Sequence, residues 1–146
     1  MTNFNYQGVH HCEAAVLSCI DFRFWQAIVD YVHQDLGIKD FDFPSLPGAA
    51  KAINDASEND NLAISCINIP VELHEAKKII LVNHADCGAY GGAKQHESLE
   101  AEEAFHAQQL RQAKTKILAA QPAVEVILLF AKLVEDGSKI AFVKID

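Results

Sequence analysis

The residues of this chain with the most chemistry in them are two thiols, an imidazole and a carboxylate–guanidinium pair. His84 and Cys87 lie in Val82-Asn83-His84-Ala85-Asp86-Cys87-Gly88-Ala89-Tyr90-Gly91-Gly92. The apolar run Lys78-Ile79-Ile80-Leu81-Val82 ahead of them reads as a buried strand, and the glycines behind them let the backbone turn. A catalytic metal needs a third protein ligand, and the candidate is Cys19, at the end of another apolar run in Ser18-Cys19-Ile20-Asp21-Phe22-Arg23. Two thiolates and one imidazole form a tetrahedral set with one open position, which suits catalytic zinc. The residue types also admit a structural zinc site, although that would be closed by a fourth ligand, or three unrelated buried side chains.

Asp21 and Arg23 weigh toward chemistry. Two residues apart on an extended turn, they point the same way and can both face the site that holds Cys19. A carboxylate beside a divalent cation is either a ligand or an acceptor for the proton of its bound water. An arginine fork holds such a carboxylate through paired hydrogen bonds. The plain alternative is a surface ion pair, yet Ile20, Phe22, Phe24 and Trp25 give this one an apolar neighbourhood. His10-His11-Cys12 offers an accessory set of metal donors, against the simpler reading of an ordinary segment leading into the first strand.

The elements that must position these groups follow from periodicity. Residues 14–19 read as a short apolar strand. Phe24, Ala27, Ile28, Tyr31, Val32 and Leu36 fall at helical spacing, with Gly37 as the stop. Residues 41–43 read as a second strand and residues 49–56 as a short helix, which the polar run at 57–61 breaks. A further helix is expected over 62–76, kinked or divided at Pro70, with Cys66 as a small buried hydrophobe. Strand 78–83 and the loop 84–92 come next. A helix then runs from Ser98, its candidate cap, to about Ala120, with acids in its first turn. Residues 124–130 form a strand, and residues 139–144 return antiparallel to it across the turn 135–138. Alternating strands and helices predict an α/β fold: a mostly parallel four-stranded sheet flanked by helices, with a C-terminal antiparallel strand. Ligands of such sheets collect beyond the carboxyl ends of strands where strand order reverses. If the strands ending at Cys19 and His84 are neighbours, the three candidate ligands meet there.

Composition narrows the function classes. With 146 residues, half of them hydrophobic, the chain is long enough for one domain with a real core. A net charge of −8 repels phosphate backbones, so no nucleic-acid partner is expected. The acids of residues 97–103 read as the solvated first turn of a helix. No apolar run is long enough to span a bilayer, and residues 1–6 lack the basic start and apolar core of a signal peptide. The expected location is the cytoplasm, where Cys12, Cys19, Cys66 and Cys87 stay reduced and serve metal binding or catalysis rather than disulfides.

Cys19-x-Asp21-x-Arg23 followed by His84-x-x-Cys87-Gly88 resembles the zinc-site signature of the β-class carbonic anhydrases. The resemblance extends over most of the chain: residues 70–76 resemble the helix before the histidine strand, 78–84 that strand, and 126–140 the family's terminal hairpin. It implies a β-carbonic-anhydrase-like zinc domain over residues 1–146, with zinc bound by Cys19, His84 and Cys87. Asp21 paired with Arg23 would be the catalytic dyad, and Asp21 would be the fourth zinc ligand in an inactive form. The implied reaction is reversible hydration of carbon dioxide to bicarbonate by a zinc-bound hydroxide, in a homodimer or larger homo-oligomer. Two positions depart from the family. Phe22 stands where a small serine is common, and Ser45-Leu46-Pro47-Gly48 replaces an Arg-Asn-Ala-Gly segment, so a cation is missing from the expected rim. Such apolar replacements are compatible with carbonyl sulfide or carbon disulfide as substrate on the same scaffold. A non-catalytic zinc-binding homologue is the third reading, which the Asp21–Arg23 dyad opposes.

Overall fold

The computed structural model describes residues 1–57 and 62–146, so most of the polar run expected to break the chain near residue 60 lies outside the described residues. In chain order the elements are β1 (Ala14–Ser18), α1 (Trp25–Gln34), β2 (Phe41–Asp42), α2 (Ala50–Asp55), α3 (Leu62–Leu73), β3 (Lys78–His84), α4 (Leu99–Ala120), β4 (Glu125–Val134) and β5 (Lys139–Ile145). The strands form one sheet in the order β2-β1-β3-β4-β5. The first four run parallel, and β5 returns antiparallel against β4. This is the expected α/β architecture.

Alternation along the strands sorts the sheet into two faces. Ala15, Leu17, Ile79, Leu81, Leu128 and Phe130 pack under α2, α3 and α4, with Ile53, Ile67, Leu110 and Ile117 as the facing side chains. Val16, Ile80, Val82 and Leu129 face the other way, against Ile28 and Val32 of α1. Both faces of the central strands are therefore dry, which is why β1 and β3 read as unbroken apolar runs rather than as alternating ones.

Two boundaries differ from expectation by three residues or more. Pro70 stays inside α3 rather than dividing it, and the helix ends at Leu73, three residues early. Pro70 lies in the last turn, where its carbonyl accepts the N–H groups of His74 and Ala76, and Glu75 takes the left-handed conformation at φ 57°. β4 continues past Phe130 to Val134 because β5 pairs with it out to Val134↔Lys139. Ser98 caps α4 as expected, accepting the Ala101 N–H at 3.1 Å.

β1 has β2 on one side and β3 on the other, so the chain reverses direction across the sheet at β1. In register, Ser18 stands opposite Val82. The residues just beyond these two strands open into the crevice that such a reversal creates.

Candidate metal centre

Cys19 follows the last residue of β1, His84 ends β3, and Cys87 lies in the loop behind it. The structure brings all three to one place: their ligand atoms lie within 4.8 Å of one another, and all three residues are buried. The two sulfurs are 3.9 Å apart. His84 stacks on Phe24 with ring centroids 4.2 Å apart, and its Nδ1 lies 2.8 Å from the Ala85 carbonyl. A carbonyl only accepts, so Nδ1 carries the proton and Nε2 keeps its lone pair. That Nε2 is buried and has no hydrogen-bond partner. A buried, unpaired lone pair beside two thiols is costly as a bare arrangement and matches the donor set of a zinc ion.

The thiols are not equivalent. Hydrogen bonds from Cys87 and from the backbone N–H groups of Gly48 and Asp21 hold the Cys19 pKa well below the usual thiol range, against the effect of burial. Cys87 is pushed up, because a thiolate at Cys19 and burial both oppose a second negative charge there. Gly48 N–H donates to Cys19 Sγ at 3.3 Å. Only glycine serves at that position: φ is +73°, and a Cβ would lie 2.9 Å from the Lys51 Cβ and 3.0 Å from the Ala89 Cβ. Gly48 is thus the member of the 45–48 segment that reaches the site. Leu46 packs into the core under α2 and α3 instead.

Asp21 stands at the edge of this set, its Oδ2 4.0 Å from His84 Nε2. Arg23 grips it with Nη2 at 2.6 Å from Oδ2 and with Nε at 3.0 and 3.1 Å from the two oxygens. The Arg23 backbone N–H also donates to Oδ1 at 3.0 Å, so a tight turn, not an extended segment, aims the pair. These bonds lower the Asp21 pKa to about 2 and raise that of Arg23. The apolar neighbourhood divides. Phe24 is buried under His84, whereas Ile20, Trp25 and especially Phe22, 81% exposed, form an open rim.

Four residues beyond the expected set complete the site. Asp86 accepts from Arg23 Nη1 at 3.1 Å and from the Ala93 N–H at 3.1 Å, and its backbone N–H donates to Glu102 at 2.7 Å. Asp86 holds this position with φ at 54°, a conformation that aspartate tolerates better than most residues. Glu102 is 2% exposed, so one member of the acidic run at 97–103 is interior rather than solvated. Behind His84, Asn83 accepts the Ala50 N–H and points its amide nitrogen at His106 Nδ1, 3.1 Å away.

A family model described as "Putative carbonic anhydrase" matches residues 9–143. An uncharacterised protein of Rickettsia conorii is 35% identical over 132 residues, covering 86% of this chain and 70% of that protein. Among solved structures, β-carbonic anhydrase isoform I of Trichomonas vaginalis superposes with a TM-score of 0.61 at 10% identity, covering 99% of this chain and 87% of that one. Tetrameric β-carbonic anhydrase from Sordaria macrospora gives 0.52 at 19% identity, covering 93% and 82%. The solved structures establish the fold that places Cys19, His84 and Cys87 at adjacent strand ends, and the match across residues 9–143 establishes the family: this chain belongs to the putative carbonic anhydrases, as a divergent member on the β-carbonic anhydrase fold.

Proposed function

We propose that this protein is a zinc-dependent carbonic anhydrase interconverting carbon dioxide and bicarbonate. The observation that carries the reading is the partnerless, buried Nε2 of His84, facing two thiols in a chain of this family. Cys19, His84 and Cys87 would hold the zinc, leaving a fourth position for water. When bound, zinc supplies a Lewis acid that lowers the pKa of water from about 15.7 to about 7.

The chain's own residues do the rest. The Ala85 carbonyl fixes the His84 tautomer so that Nε2 is the donor. The Gly48 N–H steadies the charge on Cys19. Asp21, held ionised by Arg23, accepts a hydrogen bond from the reacting water and turns its free lone pair toward the carbon of carbon dioxide. Arg23 engages both oxygens of Asp21, a grip that would favour Asp21 as a hydrogen-bond acceptor over Asp21 as a fourth ligand. Asp86 steadies the far side of the guanidinium. Reduced thiols suit a cytoplasmic setting. The exposed rim of Ile20, Phe22 and Trp25 supports a homodimer or larger assembly.

The test is oxygen-18 exchange between labelled carbon dioxide and water, with zinc-loaded protein and Cys87→Ser as control. Exchange well above the control is expected, together with loss of most zinc from Cys87→Ser. A wild-type chain that holds zinc at this site and yet exchanges no faster than the control would overturn carbon dioxide as the substrate.

A further inference from the structure

At the opposite end of β1 from Cys19, a second group of metal donors converges. Cys12 precedes β1, Asp42 ends β2 and His74 follows α3. The backbone fixes all three. Cys12 N–H donates to the His74 carbonyl at 2.9 Å, and Glu13 N–H to the Asp40 carbonyl at 2.8 Å. Ala15 pairs with Asp42 in the sheet. Their side chains then meet: Asp42 Oδ2 lies 2.7 Å from His74 Nδ1 and 3.8 Å from Cys12 Sγ, and the three ligand atoms lie within 4.8 Å of one another.

The spacing is close to what a cation requires. With zinc bonds of about 2.3 Å to sulfur and about 2.0 Å to nitrogen and oxygen, tetrahedral geometry separates the ligand atoms by about 3.3 to 3.5 Å. Reaching that from the observed positions takes a spreading of Asp42 and His74 by roughly 0.6 Å and a closing of Cys12 onto Asp42 by roughly 0.3 Å, within the range of side-chain rotations at partly exposed positions. A simple ion pair accounts for Asp42 and His74 but not for the thiol beside them, which already has a carbonyl acceptor in Ala14 at 3.3 Å. The surroundings add donors: the pocket of about 490 Å³ over these residues is also lined by His10, His11 and His33. His11 is engaged with Glu75 at 3.5 Å, which leaves His10 and His33 facing the pocket.

A third cluster, His96, Glu102 and His106, shows by contrast what disqualifies a site. Because Asn83 must offer its oxygen to the Ala50 N–H, its NH2 faces His106 Nδ1, which is therefore the acceptor. Nε2 then carries the proton, and a metal there would force two donors against each other. At Cys12, Asp42 and His74 the proton that His74 Nδ1 donates to Asp42 would leave as the cation binds both atoms in its place.

We propose that Cys12, Asp42 and His74 form an accessory site for a divalent cation of the zinc class, with its fourth position open to water or His10 in the pocket. The seven residues from Cys12 to Cys19, at about 3.3 Å each, put it roughly 20 Å from the candidate metal centre. Its donors come from three separate segments, so an ion there would pin the chain ahead of β1 to β2 and to the end of α3. Binding to the folded state alone would raise stability with zinc concentration.

The experiment counts ions. Wild-type protein dialysed against excess zinc and then gel-filtered should carry two zinc per chain, and Cys12→Ala and His74→Gln should each carry one with oxygen-18 exchange unchanged. In a Cys19→Ser/Cys87→Ser background, cobalt(II) should still give a thiolate charge-transfer band, which further Cys12→Ala abolishes. Equal zinc content in wild type, Cys12→Ala and His74→Gln would overturn the site, whatever the exchange activity. The single variants alter only partly exposed side chains and keep the readout if the double variant does not fold.

Discussion

Arg23 connects two carboxylates that have different jobs. Its Nε and Nη2 hold Asp21, Nη1 donates to the Asp86 carboxylate at 3.1 Å, and Nη2 also donates to the Asp86 main-chain carbonyl at 3.3 Å. Asp86 itself is held ionised, first by the Ala93 N–H and then by Arg23. In the proposed mechanism Asp86 is a positioning residue and Asp21 is the group that would accept from the reacting water. Asp21→Asn should keep its zinc and lose at least tenfold in kcat. Asp86→Asn should keep zinc and lose less, because the main chain still contributes one bond to Arg23; zinc content and exchange rate measured together separate the two roles. His106 gives a pH prediction. Burial, with His84 and His96 close by, lowers its pKa from 6.5 to about 4. The unfolded chain therefore binds a proton there that the folded chain refuses, so this group's contribution is intact above pH 6.5 and fades as pH falls toward 4. A shift of this size corresponds to up to about 3 kcal/mol. His106→Gln should flatten that part of the urea-unfolding profile between pH 7 and pH 4.5, while an equally steep profile would assign the acid sensitivity elsewhere.

At the scale of elements, what was legible in the sequence was what periodicity and strand ends encode. Cys19, His84 and Cys87 could be found because each stands at or just past the end of an apolar run, where a parallel sheet delivers its functional side chains. Asp86 could not, since its role arises from the approach of α4 to the loop after β3. A signal for Glu102 did exist. Glu102, His106, Leu110, Ala113 and Ile117 follow helical spacing and are all buried, so the inward stripe of α4 begins with polar residues. A composition reading of residues 97–103 as solvated misses that. Pro70 does not divide α3: its ring forgoes only the bond to the carbonyl one turn back, while its own carbonyl closes the helix by accepting from His74 and Ala76. Gly48 joins both levels, a turn glycine whose N–H also serves a ligand sulfur. Gly48→Ala should strain the left-handed backbone and push on Lys51 and Ala89, costing about 1–3 kcal/mol. Its zinc affinity should fall as well, because the donor to Cys19 moves. A lower melting temperature with unchanged zinc affinity would separate the turn from the site.

For the molecule as a whole, the sheet explains where the site is, and the surface around the site indicates what is missing from it. Ile20, Phe22 and Trp25 are 61%, 81% and 49% exposed, all within six residues of Cys19. Phe4, Tyr6 and Val9, ahead of β1, are also largely exposed. A large ring left 81% open beside a buried set of metal donors is unusual for an isolated chain, since apolar patches rimmed by polar groups mark contact surfaces. Phe22 does not narrow the centre within its own chain, so a second copy is the simplest cover for it. Buried in an interface, one such ring stabilises by about 1.5–3 kcal/mol, enough to shift a micromolar equilibrium by one to two orders of magnitude. Light scattering after size exclusion should give a dimer or larger species at micromolar concentration, and Phe22→Ser should move it toward monomer. If dimerisation closes the site, exchange activity in Phe22→Ser should fall with dilution in step with the dimer fraction, while zinc remains bound through residues of one chain. A wild-type monomer, or a monomeric Phe22→Ser with full activity at every concentration, would mean that the rim is an open mouth and that each chain works alone.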